Sequence, residues 1–372
     1  MKIYYWSPFT SKVATIKAVI NSAYGLRKFY KHETLIINSF GEWDNYKKKI
    51  KKCKIGLVNS SIKVNFKNYS GYIKSRIAYT IIFIKSFFYL NQILKTHKPD
   101  YLVIHLITSL PIILFLIFNY RTKLILRVSG FPKLNLFRKL LWKIGEKNFL
   151  FITTPTTETY KNLCKKNIFS ERKIHYLPDP ILLNEKNKKK TKNIYGKYIL
   201  NIGRLSNQKN QKLLIHAFSK ISSKYSNIKL IILGEGEKYK ELKNLVNSLN
   251  LKKRILFLGH INDPLNLIKN SYCMVVSSLW EDPGFVMIEG AHYKKPVLCS
   301  DCPNGPREFF NNGKNGFLFK NNNIQSLVDC FEKFKNTKKK NLKVKLLNSY
   351  KNSYKYSYKH HSKLFNNLIN NS

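Results

Sequence analysis

The stretch EDPGFVMIEG, residues 281–290, sets two carboxylates, Glu281 and Glu289, on either side of Gly284 in a chain with 67 Lys plus Arg against 20 Asp plus Glu. The run MVVSSLW (274–280) reads as the end of a strand, Glu281, Asp282 and Pro283 as a turn, and Phe285, Ile288, Ala291 and His292 as one side of a helix. Gly284, Phe285 and Val286 then offer first-turn N–H groups without helical partners, where a diphosphate can bind. Arg204 and Lys209, in RLSNQKN (204–210) just past another strand, add two cations at a helix start. Acids beside an anion site are costly unless each has cations or hydroxyls to bind. A sugar nucleotide has hydroxyls on both sides of its diphosphate and would satisfy the whole set.

Two further loops are less specific. GEGEKYKEL (234–242) supplies Gly234 and Gly236 at a strand-to-helix turn, a generic feature. GHIND (259–263) ends a strand at a tight turn whose backbone, with His260 and Ile261, would read a flat ring; His260 also reads as an ordinary surface histidine. Cys299 and Cys302 form a C-x-x-C with no second pair or histidine at zinc spacing, so a loop after a strand is expected and no metal. Six scattered cysteines and no secretory signal point to a reducing, cytoplasmic setting.

These residues need a scaffold. At 372 residues the chain exceeds one ordinary core, and 44% hydrophobic content suffices for two. In the first half, KIYYW (2–6), TLIIN (34–38), YLVIH (101–105), KLILRV (123–128), FLFIT (149–153) and KIHYL (173–177) read as strands, with helices from about Ser11 and near 72–96. KYILNIG (197–203), IKLIILG (228–234), RILFLG (254–259), YCMVVSS (272–278) and PVLCS (296–300) repeat the rhythm. Such alternation predicts parallel sheets in two doubly wound α/β domains, 1–183 and 198–338, joined by a polar linker, 184–197. The tail, 339–372, is expected to be helical and to pack back toward the first domain. Ligands are expected in a cleft between the domains, beyond the carboxyl ends of the strands.

A formal charge of +47 seeks anions: nucleic acid, anionic lipid or phosphorylated substrate. The runs KKKIKKCK (47–54) and KNKKKTK (186–192) read as loops first and as binding patches second. YLVIHLITSLPIILFLIF (101–118) has nearly the length of a membrane span, but His105, Thr108, Ser109 and Pro111 divide it into a buried strand and a short helix. IAYTIIFIKSFFYL (77–90) reads as a helix with Lys85 inside it. A body that touches a membrane without crossing it is expected.

The glutamate pair, preceded by NIGRLSNQKN (201–210) and followed by KKPVLCSDCPNGPREFFNNGKNGFLF (294–319), resembles the retaining, nucleotide-sugar-dependent glycosyltransferases of family 4, over about 198–320. The resemblance implies the GT-B fold, two Rossmann-like domains facing a central cleft, and a donor diphosphate held by Arg204, Lys209 and the amides of Gly284, Phe285 and Val286. It implies that Glu289 binds ribose hydroxyls and Glu281 the transferred sugar near its reacting face. It also implies front-face transfer without a covalent nucleophile, and no metal. His105 stands where the family's active-site histidine ends a strand, and a satisfied core histidine is the other reading. WSPFTSKVATIKAV (6–19) stands where the family's first loop nears the donor, without its paired glycines. RVSGFPKLNLFRKLLWK (127–143) would put Arg127, Ser129 and Gly130 on the acceptor side, with Lys133, Arg138, Lys139 and Lys143 on a basic amphipathic helix. CPNGPREF (302–309) leans toward a uridine nucleotide carrying a galactose-type or N-acetylhexosamine sugar. The acceptor implied is a glycan, lipopolysaccharide or lipid-linked oligosaccharide on an anionic inner leaflet. Two other functions fit the sequence less fully: a nucleotide-sugar epimerase on the same fold, and a basic membrane- or nucleic-acid-binding protein. No helix-turn-helix, zinc or RNA-recognition signature supports the second, and no specific nucleic acid is expected.

Overall fold

The computed structural model describes residues 1–10, 13–64, 72–128, 134–182 and 192–372. Ser11, Ser129, Gly130, Lys133 and most of the expected linker lie outside them. The chain forms two units, Met1–Leu183 with Tyr356–Ser372, and Asn184–Lys355.

The first unit is built on β1 (Lys2–Trp6), β2 (Glu33–Asn38), β3 (Gly56–Asn59), β4 (Tyr101–Ile104), β5 (Lys123–Arg127), β6 (Phe149–Thr154) and β7 (Ile174–Tyr176), in the order β3-β2-β1-β4-β5-β6-β7. Every pairing is parallel. Side chains alternate between its two faces, as strand geometry requires. Tyr4, Trp6, Leu102, Ile104, Leu124 and Leu126 enter a core shared with the helices Tyr72–Thr96, Ser109–Ile117 and Leu136–Gly145. Ile3, Tyr5, Val103, Ile125 and Phe151 enter a second core with the helix Thr15–Tyr30 and with Phe365 and Ile369. Both faces are thus covered, which explains why these strands read as nearly unbroken apolar runs.

The second unit carries β8 (Lys197–Ile202), β9 (Ile228–Leu233), β10 (Ile255–Phe257), β11 (Cys273–Val276), β12 (Val297–Ser300) and β13 (Phe317–Phe319), in the order β10-β9-β8-β11-β12-β13. Its pairings are parallel too. In each sheet the order reverses beside the unit's first strand, between β1 and β4 and between β8 and β11. Loops at the carboxyl ends of such a strand pair diverge and leave a crevice for a ligand.

Residues 47–52, expected as loop, form the helix Lys47–Lys52, because Ile50 is 2% exposed and anchors an otherwise basic turn to the second core. The expected tail is two helices with different partners. Lys339–Ser353 packs on the helix Phe285–His292, where His292 Nδ1 lies 3.1 Å from Ser353 Oγ. Tyr358–Asn370 packs on Thr15–Tyr30, with Tyr358 stacked on Tyr24 at 5.5 Å and Asn366 Oδ1 2.7 Å from His32 Nε2. Gly25 makes this approach possible, since a Cβ there would overlap Ser362 Oγ.

A directional hydrogen-bond chain fixes this last helix. His361 Nδ1 donates to Pro178 O at 2.9 Å, which leaves Nε2 to accept from Ser22 Oγ at 2.8 Å; Tyr5 OH lies 2.9 Å from the same hydroxyl. Burial holds His361 well below the usual imidazole range, so the folded chain keeps it neutral. A histidine near 6.5 in the unfolded chain takes up a proton that the folded one refuses, so this stability is complete above about pH 6.5 and declines below it. Lowering the pH from 7 to 5 is therefore expected to lower the melting temperature, and His361→Gln to flatten that dependence. Scanning calorimetry at several pH values checks both.

Candidate nucleotide-sugar site

The second unit's switch point carries the two loops the sequence singles out. β8 ends at Ile202 and leads through Arg204 to the short turn Asn207–Lys209. β11 ends at Val276 and leads through Ser277 and Ser278 to Glu281. Lys209 Nζ donates to Glu281 Oε1 at 2.6 Å, with the two side chains 22% and 7% exposed. Ser278 Oγ donates to the same carboxylate oxygen at 2.6 Å. Three further hydrogen bonds to backbone carbonyls join the loops: Ser277 Oγ donates to Lys209 O at 2.9 Å, Leu279 N to Gln208 O at 2.8 Å, and Gln208 Nε2 to Trp280 O at 3.1 Å. A cation and an acid therefore stand at the switch point on a braced frame.

Behind Glu281 the chain turns into the helix Phe285–His292 through Gly284, whose φ of 92° suits glycine and few other residues. Phe285 and Val286 are the first residues of that helix, and half-buried Glu289 lies in its second turn. Gly284 and Glu281 are neighbours: a Cβ on the glycine would sit 3.4 Å from Glu281 Cβ and Cγ. Gly305 backs the turn, since a Cβ there would overlap Pro283 O.

The third loop supports the first. Gly203 N donates to Leu233 O at 2.9 Å and Gly234 N to Gly259 O at 2.8 Å, so the ends of β8, β9 and β10 are tied side by side. Gly234 has φ of 138° and lies so close to Gly203 that any Cβ would overlap the Gly203 carbonyl. Gly236 meets Leu205 O in the same way. His260 is exposed and paired with Asn262 Oδ1 at 3.0 Å, with Ile261 half-buried beside it. The Arg204 side chain is exposed, while its carbonyl accepts from Gln211 Nε2 at 3.1 Å.

In the first unit, His105 follows β4 at the equivalent switch point and donates its backbone N–H to Trp6 O at 2.9 Å. It is 1% exposed, and burial, aided by the Arg127 charge, holds its imidazole well below the usual range. Arg127 itself is 5% exposed and ion-paired with Asp179, so its charge is satisfied inside the unit in place of the acceptor-lining position expected for it. Arg138, Lys139 and Lys143 are exposed on Leu136–Gly145. Glu42, after β2, accepts from the N–H groups of Ser39 and Phe40 at 3.1 and 2.9 Å, yet burial raises it to about 7.

Sequence reasoning missed the braces, Ser277, Ser278 and Gln208. The two serines do carry a signal, small hydroxyl residues directly after a fully buried strand. Gln208 carries none.

Two Rossmann-like α/β units define the fold class, GT-B. Residues 184–352 match the family model of glycosyl transferases group 1. An uncharacterized glycosyltransferase of Methanocaldococcus jannaschii is 33% identical over 264 residues, 63% of this chain and 64% of that protein. The N-acetylgalactosamine-N,N'-diacetylbacillosaminyl-diphospho-undecaprenol 4-alpha-N-acetylgalactosaminyltransferase of Campylobacter jejuni is 35% identical over 131 residues, 35% of each chain. The chain thus spans less than two thirds of the length of both relatives. Among solved structures, Anabaena HepE in complex with UDP-glucose superposes with a TM-score of 0.75 at 15% identity, over 100% of both chains.

Proposed function

We propose that the protein is a retaining glycosyltransferase that moves a hexose or N-acetylhexosamine from a nucleotide sugar, a UDP-sugar, to a lipid-linked oligosaccharide, lipopolysaccharide or other glycan acceptor. The observation that carries this reading is the braced Lys209–Glu281 pair at the β8/β11 switch point, with a helix N-terminus directly behind it. Arg204, Lys209 and the amides of Gly284, Phe285 and Val286 hold the diphosphate. Glu289 takes the ribose hydroxyls, and the loops carrying Gly234 and His260–Ile261 flank the base. Glu281 contacts the transferred sugar, and donor binding places a second partner on the cation it already holds. The acceptor hydroxyl attacks on the face from which the diphosphate leaves, and the catalytic work is stabilisation of charge on that leaving group. Two cations and a helix dipole supply that stabilisation without a metal. His105, neutral at the first unit's switch point, serves the acceptor side.

A structural neighbour solved in complex with UDP-glucose and a relative named for a diphospho-undecaprenol acceptor are consistent with this donor and acceptor. The test is a panel of nucleotide sugars screened for thermal stabilisation in the presence of a metal chelator, because a ligand bound by the native state alone raises its melting temperature. One UDP-sugar is expected to stabilise the protein, and Glu289→Ala to reduce that shift and weaken the donor in calorimetry. Transfer of label from that donor to an added glycolipid follows. No stabilisation by any nucleotide sugar removes the reading, and an isomerised donor with no sugar on an acceptor replaces it with epimerase chemistry.

A further inference from the structure

We infer that three helices of the first unit form a membrane-docking face, whose partner is a bilayer with anionic headgroups. Tyr72–Thr96, Ser109–Ile117 and Leu136–Gly145 pack side by side on one face of the seven-stranded sheet. Away from the sheet they leave large apolar side chains in solvent: Ile84 is 63% exposed, Phe88 77%, Ile117 60%, Leu136 83%, Phe137 65% and Leu140 56%. Exposed apolar residues are ordinary when scattered, whereas a concentration on adjacent helices marks a surface with a partner.

The pattern on Leu136–Gly145 shows what kind. Leu141, Trp142 and Gly145 are buried toward the neighbouring helix and sheet. Leu136, Leu140 and Ile144 recur every fourth residue and form a second, outward apolar stripe, with exposed Lys139 and Lys143 along its edge. Apolar residues edged by bases are the pattern of helices that lie in a lipid interface. Charge selects the occupant. The three helices contain no Asp or Glu, and Lys85, Arg138, Lys139 and Lys143 are exposed on them, so a second copy of this face would set like charges together, whereas anionic lipid would neutralise them.

Tyr72–Thr96 contains a stretch, Ile77–Thr96, long and apolar enough to cross a membrane, but packing rules against that course. Ala78, Ile82 and Leu90 are buried along one side, and Leu90, Ile93 and Leu94 belong to the sheet core. The helix is held flat on the protein and offers only its outer side to lipid.

Flotation with vesicles of phosphatidylglycerol and phosphatidylcholine, against phosphatidylcholine alone, tests the inference. The protein is expected to float with the anionic vesicles. The variant Leu136→Ser/Phe137→Ser/Leu140→Ser keeps every charge and is expected to lose binding by at least about tenfold, as is Arg138→Gln/Lys139→Gln/Lys143→Gln. Leu136→Trp gives a readout without loss of the surface, since its fluorescence should shift to the blue when anionic vesicles are added. Undiminished flotation of the serine variant would mean that charge alone binds lipid and would overturn the apolar face, as would an unshifted tryptophan. Failure of the unaltered protein to float, or a dimer in sedimentation that the serine substitutions abolish, would overturn the lipid assignment. The readouts need no donor, so they stand or fall apart from the glycosyltransferase reading.

Discussion

Arg204→Ala and Lys209→Ala are each expected to lower turnover by about 10² to 10³, the usual consequence of removing one donor that stabilises a developing anion, roughly 3 to 4 kcal/mol in the barrier. Their effects on stability should differ. The Arg204 side chain is exposed, and the hydrogen bond at that residue uses its backbone carbonyl, so the arginine variant should melt like the parent. Lys209 neutralises a carboxylate that is 7% exposed, so its loss leaves Glu281 with a buried charge and the Ser278 hydroxyl. Losing a hydrogen bond between charged groups costs about 1.5 to 3 kcal/mol, and removing one partner of a buried pair lies at or above that range. Lys209→Met/Glu281→Gln should recover most of the stability and none of the turnover. Steady-state kinetics and melting curves on the four proteins decide the matter. Turnover at the parental level in both single variants would remove the diphosphate assignment.

Gly234→Ala is expected to do more damage than any other single methyl group in the second unit's site. The position has φ of 138°, and the new Cβ would overlap Gly203 O, a backbone atom that cannot rotate aside. Overpacking costs about 1 to 3 kcal/mol and a strained backbone about the same again. Relief requires the ends of β8 and β9 to part, which moves the loop carrying Arg204 and Lys209. The variant should melt several degrees lower and show little stabilisation by donor. Gly259→Ala is the control: φ is 66°, but nothing lies within 4 Å of the added methyl, so only the backbone cost of about 1 to 2 kcal/mol applies. Equal effects at the two positions would show that close approach of β8 and β9 is not what requires glycine.

The strands that sit deep in each sheet are legible in the sequence because burial on both faces makes them continuous apolar runs. Of the four edge strands, β7 and β10 were read and β3 and β13 were not. GLVN, which forms β3, opens on Gly56 and ends on exposed Asn59, and FLF, which forms β13, is too short for any periodicity. The places of Arg204, Lys209 and Glu281 just past strand ends were readable as well, since these are local features. Their assembly was not. Lys209 and Glu281 are 72 residues apart, and only the order β10-β9-β8-β11-β12-β13 makes their strands neighbours. Nothing local reports that order. The tail hid its division because Tyr358–Asn370 buries His361, Ser362 and Asn366 along with Tyr358, Phe365 and Ile369, and a contact surface that is half polar looks like a solvated one.

Because residues 356–372 complete the core of the first unit, that unit is discontinuous in the chain. On the ribosome these first 183 residues emerge well before Phe365 and Ile369 exist, and wait with one of their two cores incomplete until the intervening 172 have been made. Completion of the first unit is thereby timed to follow synthesis of the second.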